Sequence, residues 1–168
     1  MSWSMMLWSI GAFCAWLAKA PLSTTRGSAA GIGGLAYAGI PVTHRDTNSA
    51  VTFLTGHDSG GEVPGALDWD AIARGSPVLV LYMASRHLPN IVKRLLAAGR
   101  RSDEPAAIVS QATTPEQAVL VSTLGEIVGA AADIRVPAIV VIGEVVRFHA
   151  ALDWVRALEK NGREPQRG

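Results

Sequence analysis

The chain has 168 residues, of which 49% are hydrophobic and 17% charged, so it has enough apolar residues for one domain with a sizeable core and is not intrinsically disordered. Its 15 Lys and Arg residues against 14 Asp and Glu residues give a net charge of +1, which excludes a global field that attracts nucleic acid or an anionic membrane. The single cysteine, Cys14, excludes an internal disulfide and is typical of a reducing compartment, which predicts a cytoplasmic protein.

The first 28 residues differ in composition from the rest. Residues 1–18 carry no charge but contain three tryptophans and three methionines. A signal peptide usually opens with a basic segment, which is missing, and the stretch is barely long enough to span a bilayer. Two interpretations are favoured. The segment is an amphipathic helix that packs in the core, or it is an atypical start joined to a domain that normally begins further upstream. Residues 21–34 are rich in Ser, Thr and Gly and predict a linker that runs into a loop.

From residue 50 onward, strand-like and helix-like segments alternate. The predicted strands are 50–55, 78–83, 106–109, 119–124 and 137–142, and the predicted helices are 69–73, 88–96, 125–132 and 147–160. Asp68 is placed to cap the first of these helices, and Gly99 follows the end of the second. Thr114, Pro115 and Gln117 have the spacing of a helix-starting capping box. The alternation predicts an α/β fold with a mixed sheet flanked by helices.

Residues 36–46 contain the most informative polar cluster. A Gly39-Ile40-Pro41 turn precedes four hydrogen-bonding or charged side chains in a chain where charge is sparse, which predicts a loop presented to a ligand. These side chains are Thr43, His44, Arg45 and Asp46.

Other chemical motifs are weak or missing. The four histidines are scattered without neighbouring ligands, so no metal site is predicted. No serine has an evident base beside it, which leaves nucleophilic catalysis without support. The run of glycines in residues 31–34 indicates a turn or a backbone that approaches a cofactor closely.

Several segments taken together carry a family resemblance. Residues 36–46 and five further segments, in the same order and with similar spacing, resemble the uroporphyrinogen-III C-methyltransferases of the tetrapyrrole methylase family. The further segments are Leu-Thr-Gly-His at 54–57, Leu-Tyr-Met-Ala at 81–84, Gln-Ala-Thr-Thr-Pro-Glu-Gln at 111–117, Pro-Ala-Ile-Val-Val-Ile-Gly-Glu-Val-Val at 137–146 and Leu-Asp-Trp at 152–154. The resemblance covers about residues 29–158 and corresponds to the second half of a family member.

This resemblance implies a domain organisation. Residues 29–160 are expected to form the C-terminal α/β domain of a tetrapyrrole methylase, preceded by the apolar segment and linker at 1–28 and followed by a flexible tail at 161–168. In the family this domain pairs with an N-terminal domain to enclose S-adenosylmethionine, and homodimers are expected. The loops that family members carry in the N-terminal half, Gly-Pro-Gly-Asp-Pro-like and Gly-Gly-Asp-Pro-like, are not found in the sequence. We therefore expect a truncated or rearranged family member, and no residue is assigned as general acid or base.

The resemblance also implies residue roles. The residues expected at the cofactor are Ala29, Ala30, Tyr82, Met83, Ala112, Pro137 and Ala138. The residues expected at the tetrapyrrole are Thr43, His44, Arg45 and His57. Ala29 and Ala30 match a Thr-Ala pair, so a threonine hydroxyl is missing here. Arg45 is expected to hold a substrate carboxylate bidentately, and the alternative is a surface ion pair with Asp46.

The implied activity is transfer of methyl groups from S-adenosylmethionine to uroporphyrinogen-III, giving precorrin-2 on the route to sirohaem and cobalamin. Because the pyrrole carbon is electron-rich and the sulfonium methyl is already activated, catalysis is expected to be mainly positioning. Two alternatives remain open: a non-catalytic half-domain that binds cofactor or tetrapyrrole, and a precorrin methyltransferase of the cobalamin pathway. Neither nucleic acid nor membrane is expected as a partner.

Overall fold

A computed structural model describes residues 26–58 and 60–153 of the chain. The strands are β1 (Thr52–Thr55), β2 (Leu79–Tyr82), β3 (Pro105–Ser110), β4 (Ala118–Thr123) and β5 (Ala138–Ile142). The α-helices are α1 (Arg26–Tyr37), α2 (Trp69–Gly75), α3 (Leu88–Ala97), α4 (Ile127–Ala130) and α5 (His149–Leu152), and a 3-10 helix spans Glu144–Phe148. The predicted α/β class with a mixed sheet flanked by helices is confirmed.

The sheet has the strand order β1-β2-β5-β3-β4. The β1–β2 pair is parallel, and the pairs β2–β5, β5–β3 and β3–β4 are antiparallel. Consequently β1, β2 and β3 point the same way, and their carboxyl ends meet the amino ends of β4 and β5 along one edge. We call this the upper edge; it contains Thr55, Tyr82, Ser110, Ala118 and Ala138.

Both faces of the sheet are covered, which explains the apolar runs in its central strands. One face carries Leu79, Leu81 and Ile142 into a core formed with α2, α3 and α4. The other face carries Val80 and Val141 into a core with α1 and the 3-10 helix. A central strand that is buried on both faces has no solvent side, so β2 and β5 lack the alternation of a half-exposed strand.

Two helix ends lie where the sequence predicted them, and the local residues explain both. The carboxylate of Asp68 accepts a hydrogen bond from the backbone N–H of Ala71 at 2.9 Å, which confirms it as the cap of α2. Gly99 follows α3 with a φ of 95°, a left-handed conformation that suits glycine.

The linker predicted at residues 21–34 is wrong from Arg26 onward, because α1 begins there. Glycine weakens a helix by about 1 kcal/mol relative to alanine, yet here it permits close packing. A Cβ atom on Gly31 would lie within 3.0 Å of the Tyr82 ring, and one on Gly34 would lie 2.9 Å from the Cβ of Ala112. Contact with the sheet thus compensates for the low helix propensity of this segment.

Two other helix predictions need correction. Thr114, Pro115 and Gln117 lie in turns and not in a helix. The side chains of Thr114 and Gln117 accept bonds from the N–H groups of Glu116 and Thr113, so their capping capacity stabilises the turn before β4. The helix predicted at 147–160 starts later, because the 3-10 helix includes Phe148, and α5 ends at Leu152. Its later part, with the predicted apolar positions Val155 and Leu158, lies outside the described residues.

The interpretations of residues 1–18 and 161–168 also fall outside the described residues. Within 26–58 and 60–153, no helix has the length and apolar content that crossing a membrane requires.

Candidate functional site

A cavity of about 510 Å³ opens at the upper edge of the sheet. It lies where β1 and β2 end, α3 begins and β5 starts. The residues that line it are His57, Gly61, Met83, Ser85, Arg86, His87, Val136, Pro137 and Ala138. Three of the seven residues predicted to contact the cofactor are therefore in one cavity, together with one predicted to contact the substrate.

The backbone is strained around this edge. Met83 follows β2 with a φ of 52°, and Gln111 and Thr113 follow β3 with φ values of 45° and 70°. Left-handed conformations of this kind are uncommon for residues other than glycine and cluster at functional sites. The turn at Met83 also leaves its side chain 55% exposed, an unusual position for a large apolar residue next to a buried strand.

Tyr82 lies on the other face of the sheet from the cavity, beneath α1. Its ring stacks with Phe53 at 6.0 Å between centroids. Burial raises the pKa of the Tyr82 phenol, and a backbone hydrogen bond with Gly31 partly offsets this increase. Tyr82 thus joins the end of β2 to the helix that contains Ala29 and Ala30.

The predicted cofactor residues consequently form two groups at the same edge. Met83, Pro137 and Ala138 line the cavity. Tyr82 and Ala112 pack under α1, where Ala112 lies against Gly34. Ala29 and Ala30 belong to the turn of α1 immediately before Gly31.

Two histidines lie on the cavity wall. The His57 ring nitrogen Nδ1 is 2.9 Å from the carbonyl oxygen of Asp58, which fixes Nδ1 as the donor and leaves Nε2 as an acceptor when the ring is neutral. The His87 ring centroid is 6.4 Å from that of His57, and the His87 side chain is buried. The sequence prediction included His57 but neither His87 nor Arg86. Their position directly after β2, at the same edge as Met83, is the signal that would have identified them.

The polar loop at residues 43–46 lies elsewhere. The His44 ring stacks on Phe148 with 4.1 Å between centroids, and its backbone N–H donates to the buried Asn48 side chain at 3.0 Å. Thr43 and Arg45 are exposed. None of these residues lines the cavity, so of the four predicted substrate contacts only His57 does.

Asp46 does not pair with Arg45. Its carboxylate lies 3.9 Å from Nδ1 of His44, and among the described residues no salt bridge joins it to the guanidinium. The alternative of a surface ion pair between Arg45 and Asp46 is therefore not seen in the described residues. No group of three or more His, Cys, Asp and Glu residues is arranged to hold a metal ion in the described part of the chain.

Comparisons with known proteins agree with this architecture. Residues 15–128 match the family model of the Tetrapyrrole (Corrin/Porphyrin) Methylases. A uroporphyrinogen-III C-methyltransferase of Sinorhizobium sp. is 59% identical over 143 residues, which cover 84% of this chain and 51% of that protein. A siroheme synthase of Tolumonas auensis is 41% identical, with 86% of this chain and 30% of that protein covered.

A solved structure shows the same fold. The uroporphyrin-III C-methyl transferase of Thermus thermophilus, complexed with S-adenyl homocysteine, superposes with a TM-score of 0.60 and 35% identity, covering 68% of this chain and 50% of that one. The chain thus spans about half the length of these methyltransferases, and less of the siroheme synthase. On the match to the family model and on the shared fold, the chain belongs to the tetrapyrrole methylases.

Proposed function

We propose that this chain binds S-adenosylmethionine in the upper-edge cavity and serves the C-methylation of uroporphyrinogen-III to precorrin-2. The observation that carries the proposal is the convergence of Met83, Pro137 and Ala138 on one cavity, since the family resemblance assigns all three to the cofactor. The 59% identity to a uroporphyrinogen-III C-methyltransferase supports this substrate over a precorrin.

The residues present fit the cofactor. A cavity of about 510 Å³ is within the range of roughly 300–1,000 Å³ usual for small-molecule sites. Its wall combines apolar groups, Val136, Pro137 and Ala138, which suit a flat adenine ring, with the polar side chains of His57 and Arg86. The cofactor supplies an activated methyl group. The chain's own contribution is to hold that group in place and to limit the access of water.

The tetrapyrrole is the proposed partner of the exposed loop at residues 43–46. Arg45 has no carboxylate partner among the described residues, and a guanidinium can grip a carboxylate with two parallel hydrogen bonds. His44 is held by stacking on Phe148 and by its backbone bond to Asn48, so the loop presents Arg45 from a fixed base.

Two further features belong to the proposal. A homodimer is proposed on the family resemblance. A cytoplasmic location is proposed because the one cysteine of the chain is typical of a reducing compartment.

The test separates binding from methyl transfer. The 168-residue chain is incubated with uroporphyrinogen-III and methyl-labelled S-adenosylmethionine, and binding of S-adenosylhomocysteine is measured separately by calorimetry. Label in the tetrapyrrole supports the enzyme. Binding without transfer supports the alternative of a half-domain that binds its ligand without catalysis. The absence of both contradicts the proposal.

Replacing Arg45 with lysine is expected to weaken uroporphyrin III binding about tenfold and to leave S-adenosylhomocysteine binding unchanged. The loss of one charge-assisted hydrogen bond, worth about 1.5 kcal/mol, explains this size. Quenching of porphyrin fluorescence measures the first affinity and calorimetry the second. The control is Arg94→Lys, an exposed arginine on α3. Equal loss of both affinities in the Arg45 variant would indicate a structural role.

A further inference from the structure

We infer that Arg86 and His87 form a carboxylate-binding subsite within the upper-edge cavity. No comparison assigns a role to Arg86 or His87. The inference rests on the proposed function, because it takes the cavity to hold the cofactor, the tetrapyrrole or a part of each.

The first observation is an unpartnered nitrogen. His87 is 8% exposed, and its Nε2 is a buried side-chain atom without a hydrogen-bond partner among the described residues. An unpaired buried atom of this kind lowers the stability of the fold by about 1–3 kcal/mol, so its presence requires an explanation. His87 lines the cavity, but Nε2 itself is closed off from solvent, so a ligand oxygen accepts from Nε2–H, and removes this cost, only after a small movement of the wall.

The second observation is the charge of the wall. Arg86 and the two histidines are the titratable residues on it, and no Asp or Glu is among the lining residues. This wall therefore attracts an anionic group of a ligand. A carboxylate has acceptor oxygens for both a guanidinium and an imidazole N–H, and it is the anionic group that S-adenosylmethionine and uroporphyrinogen share.

The third observation is the position of the cluster at the start of α3. His87 is the residue before this ten-residue helix, and no side chain caps its amino end. The helix dipole and the backbone N–H groups of the first turn, in which Pro89 has none, place partial positive charge there, which stabilises an anion. The helix end, the unpartnered imidazole and Arg86 thus favour negative charge at the same place.

The apolar side of the cavity limits how the ligand lies. Pro137 and Ala138 are at the start of β5, whereas Arg86 and His87 are at the start of α3. When the flat ring of a ligand lies against the apolar wall, the carboxylate of the same ligand lies at the basic wall. Either the methionine part of the cofactor or an acidic side chain of the tetrapyrrole supplies that group, and a binding experiment separates the two.

The test uses Arg86→Gln and His87→Gln in the 168-residue chain, with Arg94→Gln on α3 as the control. Three probes are titrated: S-adenosylhomocysteine, methylthioadenosine, which lacks the amino acid part, and uroporphyrin III. We expect each subsite variant to lose about five- to tenfold in affinity for one carboxylate ligand, while the control and methylthioadenosine binding stay within twofold. Circular dichroism confirms that each variant is folded, and Arg86→Gln alone is decisive if the buried His87 variant unfolds.

The outcomes differ in what they overturn. A loss confined to S-adenosylhomocysteine identifies the cofactor carboxylate, and a loss confined to uroporphyrin identifies a substrate carboxylate. If Arg86→Gln binds both as the unmodified chain does, the subsite is refuted while the proposed function stands. If methylthioadenosine binding falls as much as that of S-adenosylhomocysteine, the residues shape the nucleoside pocket and the subsite is again refuted. An unmodified chain that binds no probe overturns both proposals.

Discussion

Replacing Arg100 with methionine is expected to lower the free energy of unfolding by about 3 kcal/mol, because the substitution leaves a largely buried carboxylate without its partner. The side chain of Arg100 is 6% exposed and that of Glu104 is 14% exposed. Nε of Arg100 donates to Glu104 at 2.8 Å, and Nη2 donates to the other carboxylate oxygen. Urea unfolding followed by circular dichroism measures the change.

The guanidinium also satisfies backbone groups at the end of α2. Its Nη1 donates to the carbonyl oxygen of Ser76 at 2.7 Å and to that of Ala73 at 3.2 Å. These carbonyls lie at the carboxyl end of a helix, where orphan acceptors need partners and positive charge is favourable. Arg100 therefore joins α2 to the segment between α3 and β3, and methionine provides neither contact.

The neighbouring arginine provides the control. Arg101 is 64% exposed and pairs with the exposed carboxylates of Asp103 and Glu144. Because exposed ion pairs contribute about 0–1 kcal/mol, Arg101→Met is expected to cost less than 1 kcal/mol. The double variant Arg100→Met, Glu104→Met is expected to regain part of the lost stability, since no unpaired charge remains but the carbonyls of Ala73 and Ser76 still lack their donor. Equal losses in Arg100→Met and Arg101→Met would show that the buried pair has no special role.

The strands and the sheet edge were predictable because burial leaves a direct trace in sequence. A strand covered on both faces must be apolar throughout, as β2 and β5 are. The resemblance placed Met83 and Pro137 at the cofactor, and the topology brings them together because β2 ends where β5 begins. The strand order could not be derived from the sequence. In the sheet β5 lies between β2 and β3, although it is the last strand in the chain.

The sequence did not predict helix α1, because tertiary contacts and not local propensity explain why these residues are helical. Local propensity assigns residues 31–34 to a loop, and only the approach of Gly31 to Tyr82 and of Gly34 to Ala112 explains glycine in a helix. The contact of Gly34 with Ala112 also concerns the site. The resemblance assigns Ala112 to the cofactor, and its small size also allows α1 to pack against it.

His87 and Arg86 were missed for another reason. An arginine and a histidine before a helix are ordinary in sequence, and only their position directly after β2 marks them. Their chemistry depends on what surrounds them: a cavity wall without carboxylates, and burial that leaves Nε2 of His87 unpaired. Such information exists only after β1, β2, α3 and β5 have been assembled.

Replacing Gly56 with alanine is expected to destabilise the chain by about 3 kcal/mol and to weaken S-adenosylhomocysteine binding, because the new methyl group would meet backbone and not a movable side chain. An added Cβ would lie 2.7 Å from the carbonyl oxygen of Met83 and 2.8 Å from the backbone nitrogen of Ala84, and closer still to the Ala84 Cα. The Gly56 N–H also donates to the Tyr82 carbonyl at 2.6 Å. The end of β1 thus supports the strained turn that points Met83 toward the cavity.

The matched control is Gly33→Ala, where an added Cβ would meet nothing within 4 Å. Since alanine is a better helix former, this variant is expected to gain about 0.5–1 kcal/mol and to bind S-adenosylhomocysteine as the unmodified chain does. Urea unfolding gives the stability of both variants, and calorimetry well below each melting temperature gives their affinities. If Gly56→Ala loses stability but keeps its affinity, the turn at Met83 does not depend on β1 and the cavity is held by α3 and β5 alone. If both fall together, the close contact of Gly56 with Met83 and Ala84 is what connects the stability of the sheet edge to the shape of the binding cavity.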